Sequence, residues 1–467
     1  MSRENFYKAN PTTFIVLSSL AVAVVLGLAL GYSDISKKLI LAGFLMIPFG
    51  FITITRPWVA VTIFFLLVPL EELFVFKGNV TATLNKLIGA YLVFLVITSG
   101  SLRYVGETFR NKKALLIILF GLVSIASIYV SKDPAYSIRY LVKLGLLIIS
   151  YFVLTLLIRD IKTLNYAVIA LIAGTVISVL SPMFLGHGDV VTANGLERYG
   201  GLWGDQNEFA GMLLVLIPLS IAIIFTTGNK GLKTVLTIFA VILFAGFLLT
   251  YSRSGFIAFS VLCVIAMFKF IQGKNRARTL AILVPCLIVG FIVVYYTIGE
   301  NIISRVETLR ILESKESVRQ ESSLSVRYYY YFELFPQLFA EHPLLGVGFR
   351  GFVLNNPIYK QISHNTFIEV LTGTGLLGFI PFILILYMTW RDIRKARTGL
   401  LLHNTNSLYL TRYSNALEMG FFAFLTVGLF YSTDINKILW LMITLSSVLL
   451  NIRNLENSKV PVNTHRG

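Results

Sequence analysis

Residues 363–390, SHNTFIEVLTGTGLLGFIPFILILYMTW, join a polar beginning to a long apolar run. His364 and Asn365 come first, and Glu369 follows about one helical turn later. From residue 371 to residue 390 no charged side chain occurs. A helix needs about 20 apolar residues to cross the hydrocarbon core of a bilayer. The stretch therefore predicts a membrane-spanning helix whose first residues, including a titratable ring, stand at one membrane surface. Its glycines, Gly373, Gly375 and Gly378, are expected to let a neighbouring helix pack closely.

The composition of the whole chain agrees with this interpretation. The 467 residues are 56% hydrophobic and 13% charged, whereas soluble domains carry about 25% charged residues. The apolar runs are continuous rather than alternating, which favours helices over strands. Backbone groups in lipid must find hydrogen-bond partners within the protein, and a helix provides them. The sequence thus predicts an all-α polytopic membrane protein, with residues 1–467 forming a single membrane domain.

The length rule predicts about fourteen spans. A large loop, residues 298–365, is inserted between spans eleven and twelve, and its helical spacing and balanced charges predict a folded cap of short helices. The expected limits of the spans are 12–31, 38–55, 57–70, 84–100, 114–130, 138–157, 164–185, 208–227, 232–250, 255–271, 279–297, 366–389, 415–431 and 436–452.

The distribution of charge predicts the orientation. The chain has 40 Lys and Arg residues against 23 Asp and Glu residues, a net charge of +17. With the N-terminus inside, nearly all of this excess falls on the inner segments, as the positive-inside rule requires. Both termini are then cytoplasmic. The basic character is explained by this inner-face bias, which suits the headgroups of anionic membrane lipids, and no nucleic-acid partner is expected.

Several basic side chains fall on the outer side, where the large loop also lies. A single arginine at a span end often only reaches toward the headgroups, and His364 alone is equally compatible with a helix cap. Asp434 and Lys437, in the last outer turn, are expected to pair with each other. The arginines that could converge near His364 are Arg139, Arg198, Arg253, Arg327 and Arg350.

A cluster of this kind suits a particular chemistry. Guanidinium groups offer paired donors to phosphate oxygens and stay charged, and a neutral histidine can take a proton from a hydroxyl group. Together they fit transfer of a group from a lipid diphosphate to an alcohol, with the arginines stabilising the leaving diphosphate. Metal chemistry is weakly supported, because His187 and Asp189 are explained equally well by a loop turn. No cofactor is expected.

Three blocks of sequence, RYGGLWGDQNEFAGMLLVLIPL (198–219), TYSRSGFIAF (250–259) and HPLLGVGFRGF (342–352) followed by SHNTFIEVLTGTGLLG (363–378), carry a family resemblance. In the last block His364 and Asn365 are followed, after nine residues, by Gly375 and Gly378. In this order and on the outer side, the blocks resemble those of the O-antigen ligase and Wzy-type polymerase superfamily. The first six spans resemble that superfamily only in hydropathy.

The resemblance implies a metal-independent glycosyltransferase of the bacterial inner membrane. Such an enzyme would move a glycan from undecaprenyl diphosphate to a sugar hydroxyl at the periplasmic face, the acceptor being a glycan or lipid A-core. His364 would be the essential histidine, and Arg253 and Arg327 would grip the diphosphate. A chain-length regulator would be a further partner of a polymerase. The residues expected to bind substrate are Arg198, Arg139, Arg350, Asn207, Asn365 and Glu369.

The sequence leaves alternatives open. Fourteen spans favour a polymerase, since ligases usually have twelve, whereas the histidine pattern favours a ligase. A flippase or transporter of lipid-linked oligosaccharide would also have many spans and outer arginines. Such a transporter should place functional charges near the bilayer midplane, between paired half-helix repeats. Here the charges gather on one face, which favours the enzyme.

Overall fold

The computed structural model describes residues 50–76, 82–184, 190–193, 196–270, 323–398 and 405–458. Helices dominate these ranges, together with two short antiparallel hairpins. In chain order the helices and strands are α1 (Pro57–Leu67), β1 (Val75–Phe76), β2 (Ala82–Thr83), α2 (Leu84–Thr98), α3 (Val105–Phe109), α4 (Lys112–Ala126), α5 (Pro134–Leu157), α6 (Ile161–Phe184), β3 (Val190–Ala193), β4 (Leu196–Tyr199), α7 (Gln206–Thr226), α8 (Lys230–Leu249), α9 (Arg253–Phe270), α10 (Ser323–Tyr329), α11 (Phe335–Glu341), α12 (Thr366–Arg397), α13 (Thr405–Gly428) and α14 (Lys437–Ser458).

The expected spans coincide with helices wherever the structure describes them. Eight helices of the described ranges are long and apolar enough to cross a membrane, or nine if α2 and the bent segment Ser101–Phe109 that follows it form one span. The protein is therefore an all-α multi-pass membrane protein. The expected spans at 12–31 and 279–297, most of the one at 38–55, and residues 298–322 of the large loop lie outside the described residues, as do His187 and Asp189. The total of fourteen stays a prediction.

Helix α7 lies at the centre of the packing. It packs against α8, α9 and α13 and is buried along most of its length, whereas α8 exposes most of its surface. Gly255 of α9 leaves no room for a larger residue, because an added Cβ would stand 2.8 Å from Ala210 of α7. The two helices consequently begin side by side, at the end of the bundle where the polar residues of the family-like blocks meet.

Helix α12 is broken in its first third. Gly375 has φ 59° and ψ −165°, a conformation that interrupts the helical hydrogen bonding and that is accessible to glycine. Backbone of the large loop fills the gap: Val347 N–H donates to the Thr372 carbonyl (2.8 Å) and Leu376 N–H donates to the Pro343 carbonyl (2.9 Å). An added Cβ on Gly375 would strike the Leu344 carbonyl. The close approach expected of a neighbouring helix is made by the loop instead.

The opposite end of α12 is held by a buried ion pair. Lys113 of α4 lies 3.0 Å from Asp392 of α12, and both side chains are fully buried. Lys113 also donates to the hydroxyl of Ser446 on α14 (2.6 Å). Since a buried charge is tolerated only when it is paired and hydrogen-bonded, this cluster fixes α4, α12 and α14 against one another. The start of α12, where the polar residues lie, therefore belongs to a helix whose other end is firmly fixed.

Candidate active site at the start of α12

Asn365 caps α12. Its side-chain oxygen accepts from the backbone N–H groups of Phe367 (2.9 Å) and Ile368 (3.2 Å), which otherwise lack partners in the first turn. Its side-chain amide donates to the Leu429 carbonyl (3.1 Å). Asn365, expected to bind substrate, thus has two structural tasks: it begins the helix and attaches it to the loop between α13 and α14.

His364 precedes this cap in the left-handed backbone region, with φ 52°, a region that most side chains avoid. The left-handed turn directs the chain from Ser363 into the capped helix. Burial and the positive charge of Arg327 lower the pKa of His364 below its usual value, while Asp205 and Glu369 act in the opposite direction. The imidazole is therefore neutral at physiological pH and can accept a proton.

The loop between α13 and α14, residues 429–436, gathers the other elements around His364. Arg327 of α10 donates to the Phe430 carbonyl (3.4 Å), next to the Leu429 carbonyl that Asn365 uses. Tyr331 donates to the carbonyls of Leu429 (3.3 Å) and His364 (3.4 Å). The large loop and the start of α12 are thus attached to the same two peptide groups, which places Arg327 beside His364.

The second family-like block meets the first through a shared amide. Ser252 and Ser254, the two residues that flank Arg253, both donate to the side-chain oxygen of Asn207 (2.7 and 3.1 Å). These bonds fix the position at which Arg253 opens α9. Asn207, expected to bind substrate, therefore has a structural task, which is to position the start of α9, where Arg253 stands.

Arg198 reaches the same region from strand β4. Its guanidinium donates to the Tyr251 carbonyl (3.3 Å), and its Nε is buried without a partner among the described residues. Burial lowers the pKa of Arg198, with Asp205 opposing this effect. Asp205, the N-cap of α7, acts electrostatically on both Arg198 and His364. The first block thus supplies a cation, Arg198, and an anion, Asp205, to the surroundings of the histidine.

Arg350 is held differently from the other arginines. It is buried, its backbone is left-handed with φ 60°, and its guanidinium lies 3.2 Å from Asp434 and 3.7 Å from Glu369. Burial alone would lower the pKa of Arg350, but the two carboxylates reverse this and raise it. Burial has the opposite effect on the carboxyl group of Asp434 and raises its pKa. The guanidinium also lies over the ring of Tyr140, 5.3 Å from its centre.

Glu369 lies in the first turn of α12 and is 1% exposed. One carboxylate oxygen accepts from both the backbone N–H (2.9 Å) and the hydroxyl (2.7 Å) of Ser363. This clamp fixes the residue that precedes His364.

Arg139 is exposed on α5, with its guanidinium 5.6 Å from the centre of the Tyr136 ring.

Sequence reasoning missed a second polar group beside the histidine. Glu208, in the first turn of α7, accepts hydrogen bonds from Trp203, Asn436 and Tyr431. The ring of Tyr431 lies 6.3 Å from that of His364, centre to centre. Glu208 and Trp203 belong to the segment LWGDQNE, in which several polar residues precede an apolar run. This concentration of polar residues was the signal in the sequence that could have indicated the group.

Lys437 and Asp434 do not pair with each other, contrary to expectation. Lys437 pairs with Glu71, which also accepts from Thr83 (2.9 Å), and Asp434 pairs with Arg350. Both partners come from distant parts of the chain. The two charges therefore tie α14 and its loop to other elements, rather than closing a local turn.

One segment of the chain, beginning in α8 and ending in α12, matches a known family. Residues 238–383 match the protein-family model of O-antigen ligase. This match confirms the resemblance to the O-antigen ligase and Wzy-type superfamily, and it covers Arg253, Arg327, Arg350 and His364. Arg198, Asn207 and Tyr431 lie outside the O-antigen ligase segment. None of the curated proteins searched matches the chain. The family indicates a membrane enzyme that processes glycans.

Proposed function

We propose that the protein is a glycosyltransferase that moves a glycan from undecaprenyl diphosphate to a sugar hydroxyl at the periplasmic face of the inner membrane. The observation that carries the proposal is the shared attachment of Arg327 and Asn365 to the carbonyls of Phe430 and Leu429. It brings together a cation suited to diphosphate and a neutral histidine suited to proton transfer.

The arginines divide into two groups by their partners. Arg350 lies against two carboxylates, so its charge is already balanced within the protein. Arg198 and Arg327 make no ion pair among the described residues; their described hydrogen bonds go to backbone carbonyls. A guanidinium that is partly desolvated and lacks a carboxylate partner attracts an anion strongly. We therefore assign the diphosphate to Arg198 and Arg327, with Arg253 joining them by the family resemblance, and we assign Arg350 to the positioning of loops.

The reaction then needs one proton acceptor and one charge-stabilising group. His364 takes the proton from the acceptor hydroxyl as its oxygen attacks the anomeric carbon of the donor sugar. The bond between that carbon and the diphosphate oxygen breaks, and undecaprenyl diphosphate leaves with the electron pair. Arg253 and Arg327 stabilise the negative charge that develops on it. Among the described residues no group of three His, Cys, Asp or Glu side chains is placed to hold a metal ion, and the proposal assigns this charge to the arginines.

Transfer in detergent solution tests the proposal, because a flippase has no second compartment there. The purified protein would be incubated with a radiolabelled lipid-diphosphate glycan and a glycan acceptor, and the products would be separated by size. Wild-type protein should form a new glycosidic product, His364→Asn should not, and Lys132→Ala, an exposed outer residue, should behave as wild type. Donor that stays intact under all conditions would contradict the proposal and favour a transporter.

The same assay separates a polymerase from a ligase. A polymerase would lengthen the lipid-linked glycan into a ladder of products when the donor is supplied alone. A ligase would consume the donor only after addition of lipid A-core, giving a single product. Both outcomes use the same site, so the choice between them leaves the assignment of His364 and the arginines intact.

A further inference from the structure

A cavity of about 690 Å³ lies between α2, α5 and α14 and reaches the loop that carries Tyr431. This volume falls within the range of small-molecule sites, about 300–1,000 Å³. Tyr431, Glu208, Asn436, Trp203 and Lys437 line its polar end. The proposed mechanism does not use this cavity, whose wall is polar at one end and apolar along its flank.

The polar end is arranged around the carboxylate of Glu208. Trp203, Asn436 and Tyr431 each donate to it, and a carboxylate has about four acceptor positions. One position is left for a ligand. The Asn436 oxygen, in turn, accepts from the Ile438 N–H (2.7 Å), so the amide cannot rotate freely. This network presents a fixed acceptor to the cavity.

The charges at this end favour hydroxyl groups over a phosphate. Glu208 has no ion-pair partner within the described ranges, while Lys437 is paired with Glu71 and Arg350 with Asp434. The carboxylate of Glu208 would repel a phosphate placed against it, and the two cations at this end, Lys437 and Arg350, are already paired. Hydroxyl groups can both donate to Glu208 and accept from the Lys437 ammonium. A sugar ring, with hydroxyls on its edge, satisfies this pattern.

The flank of the cavity opens between α2 and α5. Val93 on α2 and Leu146 and Ile149 on α5 line the cavity, yet they are 38%, 43% and 48% exposed. On membrane helices such exposed apolar side chains face lipid. We call this opening between α2 and α5 the slot. A ligand at the polar end can extend an apolar chain through the slot into the bilayer.

We propose that this cavity binds the acceptor as a lipid-anchored sugar. The sugar ring lies against Glu208, Asn436 and Trp203, and the lipid chain leaves between α2 and α5. Tyr431 lines the cavity, and its ring centre is 6.3 Å from that of His364, so a hydroxyl beside Tyr431 stands close to the proton acceptor. The acceptor role rests on the proposed function, whereas binding of a sugar amphiphile does not.

Photolabelling tests the site without requiring transfer. The probe is a dodecyl glucoside with a diazirine midway along its chain, and a phosphatidylcholine with the same diazirine is the comparison. After irradiation of the detergent-solubilised full chain, labelled peptides are mapped by mass spectrometry. We expect the glucoside to label α2 and α5 around Val93, Leu146 and Ile149 more strongly than the phosphatidylcholine does.

Variants test whether labelling depends on the slot and on the polar end of the cavity. Ile149→Trp should block the slot from the lipid side, and Val241→Trp, an exposed position on α8, is its matched control. Asn436→Ala should reduce glucoside labelling about tenfold, the loss typical of a charge-assisted hydrogen-bond network, while Lys230→Ala, at an exposed position, should leave it unchanged. Labelling that is absent, that is equal for both probes, or that ignores Ile149→Trp would overturn the proposal.

The two proposals fail in different ways. If labelling follows these expectations but no transfer occurs with any lipid-linked donor, the sugar site stands and the glycosyltransferase assignment falls. If transfer occurs but Asn436→Ala and Ile149→Trp change neither labelling nor the KM for acceptor, the enzyme assignment stands and the acceptor site falls.

Discussion

The guanidinium of Arg350 lies 3.2 Å from the carboxylate of Asp434, and the pair joins two loops that are far apart in the sequence. One loop leads from α11 to α12 and carries His364. The other connects α13 to α14 and carries Tyr431. Because both side chains are buried, neither can be solvated if the other is lost. The pair therefore fixes the distance between the histidine and the wall of the cavity.

Removal of Arg350 should destabilise the fold. Arg350→Met leaves Asp434 and Glu369 as buried carboxylates without a cation, which typically costs about 3–5 kcal/mol of unfolding free energy. Thermal unfolding in detergent should show a lower midpoint, and Arg350→Met with Asp434→Asn should recover part of the loss. Lys230→Ala, at an exposed position, is the control. An unchanged midpoint for Arg350→Met would show that the pair contributes nothing to stability.

Replacement of His364 should abolish transfer without unfolding the protein. His364 adopts a left-handed backbone that asparagine tolerates, so His364→Asn keeps the turn and removes the base. The rate should fall about 10²–10⁴-fold, measured as product formed per enzyme at saturating donor. Donor binding, measured separately with the labelled lipid, should be retained. A His364→Asn variant with near-normal turnover would mean that another group accepts the proton.

The pH dependence should report the same residue. The neutral form of His364 is the active one, and its pKa is lowered by burial and by Arg327. The rate should therefore stay level at pH values above the ordinary histidine pKa of about 6.5 and fall only as pH drops below it. Arg327→Gln removes one of the lowering charges, so the acidic limb of its kcat/KM profile should move to higher pH. Arg327→Lys, which keeps the charge, should move it less.

Arg253 and Arg327 should not tolerate replacement by lysine. Lysine cannot offer the paired, planar donors of a guanidinium. Arg253→Lys and Arg327→Lys should each raise the activation free energy by about 2.7–4 kcal/mol, the range for loss of one donor to a developing anion. Comparison of kcat/KM values measures this change. If both variants kept normal kcat/KM, the arginines would act as simple charges at the membrane surface.

Cysteine labelling should establish the orientation. In a background without Cys263 and Cys286, single cysteines at Lys132 and Gln361 should react with a membrane-impermeant thiol reagent in intact cells. Cysteines at Asn229 and Lys395 should react only after the membrane is opened. All four positions are exposed in the structure. Reaction of the residue-395 cysteine in intact cells would place the end of α12 outside and invert the proposed topology.

Much of the helix arrangement could be predicted from the sequence, because a span requires a long apolar run and such runs are visible without tertiary information. The position of Arg327, Arg253 and His364 at one end of the bundle could also be predicted, since span counting assigns each to a face. The contacts within that face could not. Glu208 and Tyr431 stand at the ends of ordinary apolar runs, and only the packing of α7 against the loop after α13 brings them together.

Two expectations drawn from local sequence patterns are wrong: the pairing of Asp434 with Lys437, and the packing of a helix against the glycines of α12. Asp434 and Lys437 are close in sequence, yet each finds a distant partner, because one precedes α14 while the other is its first residue. The glycines of α12 admit loop backbone where a helix was expected. In both cases the segments that contribute the partner are far away in the chain, and no local pattern specifies them.

The insertion of loop backbone into the break of α12 sets a limit on how this sequence can vary. The N–H groups of Leu376 and Leu377 find their acceptors in Pro343 and Leu344, so the helix is complete only when that segment is present. In hydrocarbon an unsatisfied peptide group costs several kcal/mol. We therefore expect relatives to gain or lose residues freely before Pro343 but to keep a constant spacing from Pro343 to Gly351. That spacing determines where the loop backbone meets the break in α12, and thereby how the loop is registered against the helix that His364 precedes.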